Sequence, residues 1–351
     1  MGRKKILVDI YLAANLGDDM FLDHLSNSFP HVDFVPFHPG NNYISFFRNY
    51  PNIHQFTYTI FDKILARFGK SKLTNYEALS KEYDGFLFLG GGIFRQEYYW
   101  PELFKYRAEI VDSFNSKNKK VFFSGCNFGP YTSQDFLHAH SKLFKNAEKI
   151  IFRDQKSYHL FSNHSNVCYA PDVLWSYDLP VVKSQEKVLG ISVIDPRHKE
   201  QYKETYQDYI QANRKVCEKY INEGYKITLF SFCEKEGDLE ISKEIAKNLP
   251  GIKIENYTDD INSYLKRIGK CSHFIAARFH AVIIAMKFGI PVIPVIYGDK
   301  TENLLIDLNF EKSFVYLDAM NKLENASFLT ISSEIKDALY AKSKIHFNLK
   351  F

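Results

Sequence analysis

Short apolar runs alternate along this chain with longer stretches whose apolar residues recur at helical spacing. In the first half the runs fall at residues 6–10, 85–89, 120–124 and 149–152. Each is nearly continuous in Ile, Leu, Val and Phe, as expected for a strand buried on both faces of a parallel sheet covered by helices. The pattern pauses over 175–186, a polar segment containing Pro180, and restarts at 188–193. It continues through 226–230, 251–255, 273–276 and 291–295 to a final strand candidate at 313–317 and a helical tail at 332–344. The alternation predicts an α/β protein with two Rossmann-like domains facing a cleft, residues 1–180 and 181–351. A length of 351 residues agrees, since single cores stop growing beyond ~250–300 residues. Ligands in such sheets sit outside the carboxyl ends of the strands, so the informative motifs are those directly after strands.

Composition narrows the partners. A net charge of +4 with both signs interspersed gives no field for nucleic acid, and no nucleic-acid partner is expected. Phe and Tyr are abundant, and the aromatic and basic segment 43–72 has two readings. Either Phe46, Phe47, Phe56, Phe61 and Phe68 pack a core, or the segment touches a membrane surface or sugar chain. Five scattered cysteines without CxxC spacing, and no histidine-rich ligand set, point to reduced thiols and no metal site. The first apolar run is too short for a signal peptide or membrane span, so the expectation is a cytoplasmic protein with at most peripheral contact at the inner face of a membrane.

Five motifs follow strands. Gly17 and Asp18 come after the first, where a glycine permits a tight turn and a carboxylate opens a helix; Asp18 as a plain helix cap is the alternative. Gly90, Gly91 and Gly92 follow the second, match neither a dinucleotide fingerprint nor a phosphate-loop consensus, and read as substrate contact or an ordinary turn. Arg153, before Asp154 at a helix start, suits a carboxylate or phosphate, against the alternative of a surface cap. Arg278, Phe279 and His280 stand between the strand at 273–276 and an apolar helix, where an anion-binding cation and a proton-exchanging imidazole meet a helix N-terminus. Lys300 follows the next strand and can neutralise phosphate or remain a solvated lysine. No GxSxG elbow is present.

In order, the strings NLGDDMFL, FLFLGGGIF, IFRDQKSYHL and ARFHAVIIAMKFGIPVIPVIYGDK, with Ala170-Pro171-Asp172 between, resemble the motif series of the polysaccharide pyruvyl transferases over residues 6–309. The resemblance implies a fold similar to the GT-B glycosyltransferases. It also implies phosphoenolpyruvate as co-substrate, no resident cofactor, and a hexose acceptor within a growing or lipid-linked glycan. The product is a pyruvyl ketal. Donor-binding positions carry over to Arg153, Arg278, Phe279 and His280, with Phe279 standing where the family commonly has leucine. On that basis Arg153 and Arg278 hold the donor's carboxylate and phosphate and His280 is the general acid or base. Asp18 orients or deprotonates the acceptor, and Gly17, Gly91, Gly92 and Lys300 complete the substrate contacts. The phosphoenolpyruvate side is assigned to residues 181–351 and the acceptor side to 1–180. A nucleotide-sugar glycosyltransferase on the same fold and a noncatalytic glycan-binding protein are the rival readings.

Overall fold

The computed structural model describes residues 2–37, 42–66, 71, 73–183, 186–310 and 313–351. The chain divides into two compact units, the first made of Met1–Leu12, Phe21–Val173 and Lys342–Phe351, the second of Ala13–Met20 and Leu174–Ala341. The division therefore falls at Val173 and Leu174 rather than at 180, and two short segments belong with the unit other than the one their position in the chain suggests.

The first unit is a parallel six-stranded sheet. Its strands are β1 (Lys4–Asp9), β2 (Val32–Pro36), β3 (Gly85–Leu89), β4 (Lys120–Cys126), β5 (Lys149–Phe152) and β6 (Val167–Tyr169), in the order β2-β1-β3-β4-β5-β6. β3 is buried along its whole length because helices cover both faces. The aromatic content goes largely into this core: the Phe88 and Phe123 rings stack on adjacent strands 4.5 Å apart, and Phe46, Phe47 and Phe56 are buried. Phe61 is not; with Ile60, Ile64 and Leu65 it stands exposed on the helix Ile60–Ala66. Phe68 and Lys72 lie outside the described residues. Residues Lys342–Phe351 complete the unit. Ser343 donates to the carbonyl of Asp172 at 2.8 Å, His346 bonds the Pro171 carbonyl through Nε2 at 2.9 Å, and the Phe351 ring meets those of Phe29 and Phe122, each at 5.2 Å.

The second unit repeats the architecture with β7 (Val188–Ser192), β8 (Lys226–Ser231), β9 (Lys253–Asn256), β10 (His273–Ala276), β11 (Val292–Ile296) and β12 (Val315–Tyr316), ordered β12-β11-β10-β7-β8-β9. The helix Phe279–Phe288 is apolar on nearly all sides and buried accordingly. In each sheet the chain winds outward from one strand and then reverses, so that β1 and β3 flank the switch point in the first and β7 and β10 in the second. Crevices for ligands form at such points. Among the described residues no helix is long and apolar enough to cross a membrane.

Candidate functional site

In the second unit, Ala13–Met20 brings the Gly17 turn to the residues that follow β10. The turn is tied down locally: Asn15 accepts the Gly17 N–H at 3.0 Å through its side chain, Leu16 N–H reaches the Phe232 carbonyl at 3.1 Å, and Tyr257 donates to Asp19 at 2.8 Å. Asn15 thus fills the capping role considered for Asp18, which sits half-buried in the first turn of the helix Leu16–Ser28. A Cβ built on Gly17 would lie 1.6 Å from His280 Nδ1 and 2.4 Å from its Cγ. The imidazole therefore lies against the Gly17 backbone, Nδ1 nearest, in space that any other residue type would fill.

Arg278, the residue before the helix Phe279–Phe288, is 8% exposed. It donates from Nε to Asp238 Oδ2 at 2.9 Å, and its two terminal nitrogens form close ion pairs with Asp238 and Glu236. Asp238 also accepts the N–H groups of Phe232 and Cys233, at 3.0 and 3.1 Å, so one carboxylate joins the exit of β8 to the exit of β10. Burial alone would favour a neutral guanidinium, but Asp238 and Glu236 outweigh it and hold Arg278 firmly charged. Arg278 in turn, with help from Lys300 and Lys199, holds the Glu236 carboxyl below its usual range against the effect of burial.

Lys300 lies 5.7 Å from the Phe279 ring and 5.5 Å from that of Tyr297, and Lys199 approaches the Tyr297 ring at 5.5 Å. Burial would raise the Tyr297 phenol, yet Lys300, Arg278 and Lys199 together bring it below its usual value. Three cations against the carboxylates of Glu236 and Asp238 leave a surplus of one positive charge around a polarised phenol. Arg278, Phe279, His280 and Lys300 are the members of the cluster that the motifs announce; Lys199, Glu236, Asp238 and Tyr297 join it without a local signal in the sequence. Asp195 and Gly237 border it: a Cβ on Gly237 would approach Asp195 Oδ2 to 2.9 Å.

The remaining candidates lie in the first unit. Arg153 is buried and donates from Nε to Asn127 at 2.6 Å and from Nη1 to Asp172 at 2.9 Å. Asp154 caps the next helix, accepting the Ser157 N–H at 2.8 Å, and it too is buried rather than a surface cap. Asn127 N–H closes the network on the Gly91 carbonyl at 2.7 Å. A Cβ on Gly91 would come within 2.2 Å of Arg153 Nη2, whereas one on Gly92 would meet nothing nearer than Arg95 Cδ at 3.7 Å. The structure thus groups Gly17, Asp18, Arg278, Phe279, His280 and Lys300 on the second unit and Gly91 with Arg153 on the first, while Gly92 stands apart from the network. Among the described residues no cluster of three or more His, Cys, Asp or Glu is arranged for a metal.

Solved structures share this fold at low identity. HepE from Anabaena, in complex with UDP and glucose, aligns over 99% of this chain and 95% of its own with a TM-score of 0.57 and 12% identity. A putative UDP-N-acetylglucosamine 2-epimerase from Listeria monocytogenes aligns over 100% and 98%, with a TM-score of 0.54 and 10% identity. A glycosyltransferase from Rickettsia africae covers 99% and 95%, with a TM-score of 0.52 and 12% identity. At these identities the likeness is one of fold, the paired Rossmann-like architecture of GT-B proteins. The family model described as polysaccharide pyruvyl transferase matches residues 15–300.

Proposed function

The chain belongs to the polysaccharide pyruvyl transferase family, and from that premise we propose that it moves enolpyruvate from phosphoenolpyruvate onto two hydroxyls of a hexose in a surface polysaccharide or its lipid-linked precursor. The observation that carries the proposal is the seating of His280 on the Gly17 turn beside Arg278, which unites motifs from both ends of the matched span in one unit.

The chemistry asks for four things. The methylene carbon of the donor takes a proton, leaving an oxocarbenium-like centre at the neighbouring carbon. One sugar hydroxyl attacks that centre and loses its proton. The carbon–oxygen bond to phosphate then breaks, phosphate carrying the electron pair away, and the second hydroxyl closes the ketal as its proton is lost. One proton ends on carbon and one leaves with phosphate. His280 serves as the proton-exchanging group, its ring aligned by the backbone beneath it. Lys300, Lys199 and Arg278 supply positive charge for phosphate and carboxylate, with Arg278 fixed by its carboxylate fork before any ligand arrives. Asp18 orients the attacking hydroxyl. Arg153, bonded to Asn127 and Asp172, is placed here as a positioning residue that fixes the Gly91 turn. The exposed apolar face of Ile60, Phe61, Ile64 and Leu65 supports peripheral contact with the membrane that would carry a lipid-linked acceptor, on the cytoplasmic side.

The test is phosphate release from phosphoenolpyruvate across a panel of hexose-terminated acceptors, with product mass read for an added pyruvyl ketal. Acceptor-dependent release with that mass gain, abolished by His280→Ala, supports the reading. Turnover of a nucleotide sugar without phosphoenolpyruvate would replace it with a glycosyltransferase.

A further inference from the structure

At the switch point of the first sheet, Arg107 places a buried guanidinium near the end of β1. The residue is 7% exposed and lies on the helix Trp100–Asn115, which follows β3 and its glycine turn. Its Nε is sealed from solvent and has no hydrogen-bonding partner among the described residues. The guanidinium stands over the Phe94 ring at 5.2 Å and interacts electrostatically with Asp9, Tyr106, Cys126 and His140. A buried guanidinium normally forms several charge-assisted hydrogen bonds, and one without them is expensive to keep. Beside it, Asp9 closes β1 at the carboxyl edge of the sheet, half-buried, and accepts the Tyr106 hydroxyl at 3.0 Å. Tyr98 and Tyr99, with rings 4.9 Å apart and edge to face, stand exposed on the loop entering the same helix.

We propose that Asp9, Tyr106 and Arg107 form the binding site for the sugar acceptor, a reading that rests on the transferase function above. One carboxylate and one guanidinium side by side sum to no net charge, which disfavours a multiply charged anion such as phosphoenolpyruvate. The pair suits a neutral ring bearing adjacent hydroxyls: Asp9, steadied by the Tyr106 hydroxyl, accepts from one hydroxyl, and Arg107 donates to the oxygen of its neighbour. The terminal nitrogens of Arg107, which no hydrogen bond among the described residues engages, are then the donors to sugar oxygens.

The experiment compares Arg107→Met and Tyr106→Phe with the native chain, using hexose-terminated oligosaccharides as probes. It measures both the acceptor KM in turnover and direct calorimetric binding without phosphoenolpyruvate. Removing the guanidinium should weaken acceptor binding about ten- to hundredfold, the loss of one or two charge-assisted hydrogen bonds. The KM for phosphoenolpyruvate should stay within about twofold, so that any stability lost by leaving Asp9 without its neighbouring charge is told apart from a general loss of function. Tyr106→Phe should weaken the acceptor less. Unchanged acceptor binding in Arg107→Met, or a fall in stability with both substrates affected alike, overturns the proposal and makes Arg107 a structural residue. Saccharide binding that responds to Arg107→Met in a chain that releases no phosphate would sink the transferase reading and leave the sugar site standing.

Discussion

Gly17→Ala is the substitution that tests the site most directly, because one methyl group would occupy the place of a ring. The added Cβ would fall 1.6 Å from His280 Nδ1 and 2.5 Å from Cε1. Unbonded heavy atoms rest ~3.5–4.0 Å apart, so the imidazole must retreat by about 2 Å or the turn must open. A displacement of ~1 Å already costs on the order of 100-fold in rate when a reacting group is involved. The turnover number should therefore fall at least that far. Stability should change less: His280 is half-buried rather than part of the core, placing the cost near the low end of overpacking, about 1 kcal/mol. That corresponds to a Tm lower by ~2–4 °C for a domain of this size. The assay is phosphate release together with thermal unfolding of four proteins: native, Gly17→Ala, His280→Ala and the double variant. In the His280→Ala background the methyl meets no ring, so the stability cost should vanish and the two effects should be non-additive. Full turnover by Gly17→Ala, or an equal loss of stability in both backgrounds, refutes the reasoning.

Three other outcomes follow from the same geometry. Gly91→Ala should destabilise the first unit by about 1–3 kcal/mol, because Arg153 is locked by Asn127 and Asp172 and cannot yield; Gly92→Ala should be near neutral, and equal unfolding midpoints for the two would contradict this. Arg278→Met should cost about 3–5 kcal/mol by stranding Asp238 and Glu236, and adding Asp238→Asn and Glu236→Gln should recover part of it in denaturant titrations. Burial lowers the imidazoles of His140 and His346 to about 4, so between ~6.5 and ~4 the unfolded chain binds protons that the folded chain refuses. Their stability is therefore fully present above about pH 6.5 and is lost as pH falls through that window, by about 3 kcal/mol for each. His346→Gln should flatten that acid limb, and an unaltered slope would count against it.

Much of the fold was legible because strands covered on both faces advertise themselves as unbroken apolar runs. β3, β5 and β10 fall on the residues expected from pattern alone. β2 and β6 escaped detection because they are edge strands: the first carries Asp33 and Pro36, and the second is three residues long. The site was legible where residue type and position after a strand coincided, as at Arg278, His280 and Lys300. Asp238 and Glu236 were not, since their importance comes from long-range approach to Arg278 and no local spacing announces it. The same holds for Arg107, an arginine in the middle of a helix whose distinction is a buried Nε with no hydrogen-bond partner among the described residues. Sequence pattern also placed the division of the chain in the polar segment before β7, whereas contacts place it at Val173 and assign Ala13–Met20 to the second unit.

The attachment of Lys342–Phe351 to the first sheet has a consequence for how the protein is made. Domains commonly fold in order as they leave the ribosome, but this first sheet lacks one wall until synthesis has passed through the entire second unit. Until then the rings of Phe29 and Phe122 have no Phe351 to pack against, and the carbonyls of Pro171 and Asp172 wait for His346 and Ser343. The sheet whose strands are translated first is therefore completed only after the second unit has been made.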